Sequence, residues 1–360
     1  MRRPPREFEQ GGRLYEAVGV THMHTLYSDG TGTIPEIARF ADELGLQWIA
    51  VTDHHHLEAK KRGEEGFHGN VRVIVGSELG WEDGPNHYIA YDIDRVPDDQ
   101  SEPQNYVRIV QEQGGFGAIA HPHEKRDAID NLPPYPWTAW DVPIDGIELW
   151  NQLSQWVEGL TPRNKFHRFL HPLKSLTRPD PETMAVWDRM NRIRPVVGYV
   201  GVDAHSLTYP LLGGLIHVKV FHYKVQFRSL RTHLLLEEPL DRKDFDKARQ
   251  QIHNALRTGR HFGSNFRVGR ADGFRFYAMH EEERLLPLDT VESGTMLEFR
   301  AWSPLEADLV LLCDGRPVLR TRGRTLTFRT NQPGIWRIEA HRKGKGWIYT
   351  NPIRVLPATE

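Results

Sequence analysis

The chain has 360 residues, 39% of them hydrophobic and 26% charged, which is enough apolar content for a sizeable core and too much for wholesale disorder. Its 46 basic and 48 acidic residues leave a net charge of −2, so the overall balance gives no reason to expect a nucleic acid or a charged membrane as partner. A single cysteine, Cys313, excludes an internal disulfide framework and a thiolate zinc cluster, and suits a reducing compartment; the one unusual count is 19 histidines.

Residues 1–14 read as an N-terminal extension, basic but without the apolar stretch of a secretory signal. No apolar run approaches the roughly 18 residues of a membrane span. A cytoplasmic location is therefore expected. From residue 15 to 265 strand and helix patterns alternate. A short apolar strand, Tyr15 to Thr21, runs straight into His22. The helix that follows, Ile34 to Leu44, opens on a capping box of Thr33 and Glu36 and stops before Gly45, with Ile34, Ile37, Ala38, Ala41 and Leu44 on its buried stripe. Further strands are expected at Trp48 to Thr52, Val71 to Ser77, His87 to Ile93, Phe116 to Ala120, Gly146 to Trp150 and Val196 to Val202. Helices are expected at Asn105 to Gln113, Pro181 to Arg192 and Phe245 to Leu256.

The strands are mostly continuous apolar runs, the pattern of parallel strands buried on both faces. An α/β fold with a closed or nearly closed β/α barrel of seven strands is the leading architecture. An open doubly wound sheet is the alternative, but no glycine-rich phosphate loop follows the first strand. Residues 128–160, dense in Pro and Trp, look like an ordered loop or pocket wall. Beyond residue 265 the pattern changes to short strands separated by Gly, Pro and Asn, which reads as a small all-β sandwich over 266–360. This tail carries a basic run, Arg316 to Lys345, whose aromatics could serve a nucleic-acid surface; a solvated sheet face is the preferred reading.

Placement of the histidines carries more information than their number. His22 and His24 end the first strand, Asp53 and His54 the second, Glu78 the third, His121 the fifth, and Asp203 and His205 the seventh, while His87 opens the fourth. Side chains at the C-terminal strand ends of a β/α barrel converge on one mouth. Imidazole and carboxylate without thiolate suit zinc, manganese or iron, and these nine candidates are too many for one ion. Two or three divalent metals bridged by Glu78 would lower the pKa of a water and neutralise charge on an ester oxygen.

The segments HMHTLYSDG, GLQWIAVTDHHH, VGSE, NHYIAYDI, AIAHPH and VGVDAHS together resemble the polymerase and histidinol phosphatase (PHP) family of metal-dependent phosphoesterases, whose fold is a distorted seven-stranded β/α barrel. The resemblance runs from about Ala17 to Gly263. It implies that His22, His24 and Asp203 hold a first metal, that Glu78 bridges to a second completed by His87 and His121, and that Asp29, His54 and His205 hold a third. The tail, ending YTNPIRV, resembles the C-terminal domain of family members grouped with carbamate-ester metallohydrolases.

The implied activity is hydrolysis of a phosphomonoester or phosphodiester by a metal-bridging hydroxide at Glu78. Carbamate or carboxyl-ester hydrolysis at the same metals is the runner-up. A non-catalytic metal-bound scaffold with a partner-binding sandwich is the alternative from a different class. The expected partner is a small, phosphorylated ester. Asp53 is expected to orient a ligand imidazole or shuttle a proton, and His123 to act as an acid or touch substrate. Of His55 and His56, at least one is expected at the surface, since an extended chain cannot turn both into the mouth. Lys125, Arg126, Glu148 and Asn151 are weaker candidates for substrate contact, and His167 and His171 read as structural.

Overall fold

The computed structural model describes residues 12–81, 84–126, 133–211 and 216–358. The first strands form where the apolar runs lie: β1 (Tyr15–Val20), β2 (Trp48–Val51) and β3 (Val71–Val75) pair in parallel, with Gly19 opposite Trp48 and Ile49 opposite Val73. The helix Ile34–Glu43 returns between β1 and β2, its capping box intact and Ile34, Ile37, Ala38 and Ala41 buried.

The expected strand Val71 to Ser77 is split at Gly76. A Cβ there would meet the Ala90 carbonyl oxygen at 2.3 Å, so only glycine lets the chain pass. Beyond it, β4 (Ser77–Leu79) opens a second sheet with β5 (Tyr88–Tyr91), β6 (Phe116–Ile119), β7 (Gly146–Asn151) and β8 (Val197–Gly201), in that order. The all-parallel expectation needs correction here, because β4, β5 and β6 pair antiparallel and only β6, β7 and β8 continue in parallel. The connection from β4 to β5 is a short reversal rather than a helical crossover, with Gly80 at φ 135°. Two isolated parallel bridges join the sheets at the strand ends, His54 to Glu78 and Met23 to Ala204. The strand order thus closes into a ring at the end where the histidines lie.

Several strands lie outside the sequence expectations, and two of them flank β1 on its other side. β9 (Leu230–Leu236) pairs antiparallel with β1, and β10 (His261–Asn265) pairs antiparallel with β9. Their runs, LRTHLLL and HFGSN, mix polar residues into the apolar pattern, although every residue in both is buried. β10 then pairs with a C-terminal strand, Lys345–Thr350, placing Phe262 opposite Thr350. The C-terminal strands therefore extend the sheet of β1 instead of forming a separate one.

The tail also departs from the expected short strands. Leu297–Cys313 is one strand of 17 residues and Arg316–Thr330 one of 15, paired through the turn at Asp314 and Gly315. A register shift between Trp302 and Ala307 absorbs Pro304 within the one strand. One apolar cluster draws nearly all its members from between Val18 and Leu230, and another gathers Phe262, Phe274, Phe299, Trp336, Trp347 and their neighbours. Buried Arg337 ties the two regions by donating to Asp188, on the helix Pro181–Ile193, at 2.7 and 2.9 Å. Among the described residues, no helix is long and apolar enough to cross a membrane.

Candidate metal centre

The ring brings all nine candidate ligands to one place. Glu78, in the middle of β4 and 1% exposed, is the hub. Its Oε2 lies 3.0 Å from His22 Nε2, 3.1 Å from His24 Nε2 and 3.6 Å from His54 Nδ1. Its Oε1 lies 2.9 Å from His87 Nδ1 and 3.2 Å from His121 Nε2. One carboxylate therefore faces two separate sets of imidazoles, one set per oxygen.

Asp203 Oδ1 stands 3.4 Å from His22 Nε2 and 3.5 Å from His24 Nε2. On the outer side, Asp29 Oδ2 is 3.0 Å from His205 Nε2, and Asp29 Oδ1 is 3.6 and 3.7 Å from His24 and His54. Three groups have donor atoms close enough together to share an ion: His24, Asp29, His54 and His205; His22, His24 and Asp203; and His22, Glu78 and His121.

The backbone is bent to make this possible. His22, His121 and Asp203 all have positive φ, at 63°, 30° and 53°. Left-handed conformations in non-glycine residues cost on the order of 1–3 kcal/mol each, and such strain tends to gather at functional sites. Here the strain turns each side chain off its strand end and into the ring.

Carboxylates and imidazoles in the cluster shift one another's titration strongly. Burial opposes a charge on His24, but the carboxylates of Asp203 and Glu78 outweigh it and push its pKa up to about 10. His121, also buried, is carried up to about 9, chiefly by Glu78. His22 is raised well above its ordinary value against its own burial by Asp203, Glu148 and Glu78. Despite burial, Glu78 and Asp203 are held well below the usual carboxylate range by the imidazoles around them. His54 goes the other way, down to about 3, through burial and the neighbouring His24. Negative oxygens packed this tightly call for positive charge, which protonated imidazoles or divalent cations can supply. Both ring nitrogens of His24, Nδ1 of His54 and Nδ1 of His121 are buried with no hydrogen-bond partner among the described residues. Buried polar atoms are rarely left so. Lone pairs without donors, converging on carboxylate oxygens, fit divalent cations.

Around this centre, Glu148 on β7 accepts from His22 Nδ1 through Oε1 at 2.9 Å. Its Oε2 accepts from the backbone N–H of His121 at 2.9 Å and from Asn151 Nδ2 at 2.8 Å. Glu148 thus holds His22 and His121 in place behind the cluster. The only sequence signal was a carboxylate inside an otherwise apolar strand, GIELW.

The other expectations divide. Asp53 does not orient an imidazole: its carboxylate accepts from Thr25 N–H, Thr25 Oγ1 and Ser28 Oγ at 2.6–2.8 Å and so fixes the loop that carries Asp29. His123 does not enter the mouth, because residues 121–123 turn instead of extending; its Nδ1 meets Thr183 Oγ1 at 2.8 Å and its ring stacks on Trp140. His55 and His56 both line the cavity, contrary to the expectation for an extended chain, because φ at His55 is 62°. Lys125 turns away to Asp180 at 3.5 Å, whereas Arg126 lines the cavity, paired with Glu124 and stacked on Tyr135. His167 and His171 pack edge to face on each other. Part of the Trp-rich segment, 128–132, lies outside the described residues; within the rest, Trp156 reaches the cavity wall.

The cavity over the cluster measures about 800 Å³. Imidazoles and carboxylates converging on the mouth of a strand ring are what the sequence motifs led us to expect. Residues 21–130 match the PHP domain family model. No curated protein matches the chain. Among solved structures, the chain is similar to a two-domain protein from Bacteroides vulgatus described as containing a predicted PHP-like metal-dependent phosphoesterase, at 17% identity over 94% of this chain and 95% of that one, with a TM-score of 0.47. A candidate metal-dependent phosphoesterase from Bifidobacterium adolescentis is 16% identical over 58% of this chain and 94% of its own, with a TM-score of 0.32. An amidohydrolase from Chromobacterium violaceum, solved with sulfate and no metal, is 14% identical over 52% of this chain and 87% of its own, also with a TM-score of 0.32. The PHP match covers His22, His24, Asp29, His54, Glu78, His87 and His121, while Asp203 and His205 lie beyond it.

Proposed function

We propose that this protein is a PHP-type metal-dependent hydrolase that cleaves a phosphoester, a phosphomonoester or a phosphodiester, in a small molecule. In this reading the strand ring is the distorted seven-stranded β/α barrel of residues 15–265, and 266–360 form a β-sandwich domain joined to it. His22, His24 and Asp203 hold one metal, Glu78, His87 and His121 a second, and Asp29, His54 and His205 a third. The observation that carries the reading is Glu78, whose two buried oxygens each face a different set of imidazoles.

Divalent zinc, manganese or iron bound there would supply a Lewis acid for the ester oxygen and lower the pKa of an attacking water towards neutrality. The chain's own residues do the rest. Glu148 fixes the His22 ring so that Nε2 points at the cluster. Asp53 holds the Thr25–Ser28 loop and, through it, Asp29. Arg126, paired with Glu124, places a guanidinium charge at the cavity wall, where it attracts an anionic ester. Leu153, Trp156, Val157 and Leu160 line the facing wall and exclude water from that side.

That wall also favours a second reading. Its four apolar residues follow helical spacing and present a continuous apolar face to the cavity, which suits an aryl leaving group and hence carbamate or carboxyl-ester hydrolysis. A lone cysteine fits a cytoplasmic setting for either activity. The test is elemental analysis of the protein as purified, joined to turnover of phosphomonoesters, phosphodiesters and aryl carbamates. Two or more divalent ions per chain with phosphoester turnover is the expected result. Metal without hydrolysis of any member would leave a non-catalytic scaffold as the better account.

A further inference from the structure

A second cavity, of about 410 Å³, lies between the helix Pro181–Ile193 and the C-terminal strands. Five arginines line it: Arg178, Arg189, Arg192, Arg316 and Arg337. Buried Arg337 is fully engaged by Asp188 and Glu339, and Arg192 reaches the side chain of Asp314 at 3.5 Å and its carbonyl at 2.9 Å. The three carboxylates of the cavity are thereby spent, and Glu339 also pairs with His341 at 3.1 Å. Arg178, Arg189 and Arg316 remain exposed, with no carboxylate within ion-pair distance among the described residues.

Five arginines against three carboxylates leave a net charge of +2 in one concave space. Its floor is apolar, with Met184, Leu312 and Tyr349 buried. Low-dielectric walls focus such a field, and guanidinium forks match phosphoryl oxygens in pairs. A flat solvated face would spread its arginines over the surface; here they converge on a hollow of metabolite size. We infer that this cleft is a second anion site, which takes a phosphate-bearing small molecule with an apolar or aromatic body, seated between the barrel helix and the C-terminal strands. The assignment is independent of the reaction at the metal centre, since none of these residues lines that cavity.

Phenylphosphonate is a suitable probe: it is a dianion with an aromatic body, and its C–P bond resists phosphoesterases. Calorimetric titration of the metal-loaded full chain is compared with the Arg189→Ala/Arg316→Ala double variant, both exposed positions. The variant is expected to bind one equivalent fewer, or to bind that equivalent at least 10-fold more weakly, with unchanged metal content, melting temperature and phosphoester turnover. Raising the salt concentration should weaken the same equivalent in the parent protein. Equal stoichiometry and affinity in the two proteins would overturn the inference, as would saturation of the parent by the metal centre alone.

Discussion

Replacing Glu148 with Gln tests how the centre is held without touching any proposed ligand. Three donors converge on this carboxylate: His22 Nδ1 on Oε1, and the His121 N–H and Asn151 Nδ2 on Oε2. The last two can only donate, so the Gln side chain must keep its oxygen at the Oε2 position. Its NH₂ then falls opposite His22 Nδ1. The imidazole can answer by carrying its proton on Nε2 and accepting at Nδ1, which removes the lone pair aimed at Glu78 and Asp203, 3.0 and 3.4 Å away. Loss of such an orienting partner costs about 10–100-fold in metal affinity, or roughly 1.4–2.7 kcal/mol. Competition with a calibrated chelator measures that affinity, and ¹⁵N shifts of the ring report the tautomer. Unchanged affinity together with an unchanged tautomer would show that Glu148 does not position His22.

Other outcomes follow from the same contacts. Glu78→Gln should lower turnover by at least about 100-fold and release metal, as measured by elemental analysis, while the circular dichroism spectrum is retained. Gly201→Ala should empty the centre through packing alone, because a Cβ there would lie 1.8 Å from Glu148 Oε1 and 2.9 Å from His22 Cβ; full metal content in that variant would contradict the packing. Burial holds His261 down to about 3 from its ordinary 6.5. The stability it contributes is complete above about pH 6.5 and is lost as the pH falls from there towards 3. Between pH 7 and 4.5 the parent should therefore lose about 2–3 kcal/mol more than His261→Leu in urea denaturation. Asp188→Ala leaves Arg337 buried without its main partner and should cost about 3–5 kcal/mol in the same assay, with metal content unchanged.

Most of the centre was legible as a list of residue types at the ends of apolar runs, because metal ligation needs particular donors and strand ends are marked by local composition. The helix over residues 34–43 was legible for the same reason, since its capping box and apolar stripe are local. What escaped depended on the path of the backbone between those points. The left-handed turn at His55 brings both of its neighbouring rings to the cavity, and the turn after His121 sends His123 away. Asp53 and Glu148 exchanged their expected importance because a carboxylate's role depends on which donors surround it, and those donors come from elsewhere in the chain. β9 and β10 went unseen because polar residues such as His233 and Ser264 are buried there by partners far away: His233 bonds Glu16 at 2.6 Å and Ser264 at 2.7 Å. The placement of imidazoles and carboxylates at strand ends, with no thiolate beside them, was thus enough to indicate a candidate metal centre. Only the closing of the ring, a matter of pairings between distant strands, decided that Glu78 should stand between the two sets of imidazoles and that the C-terminal strands should join the same sheet.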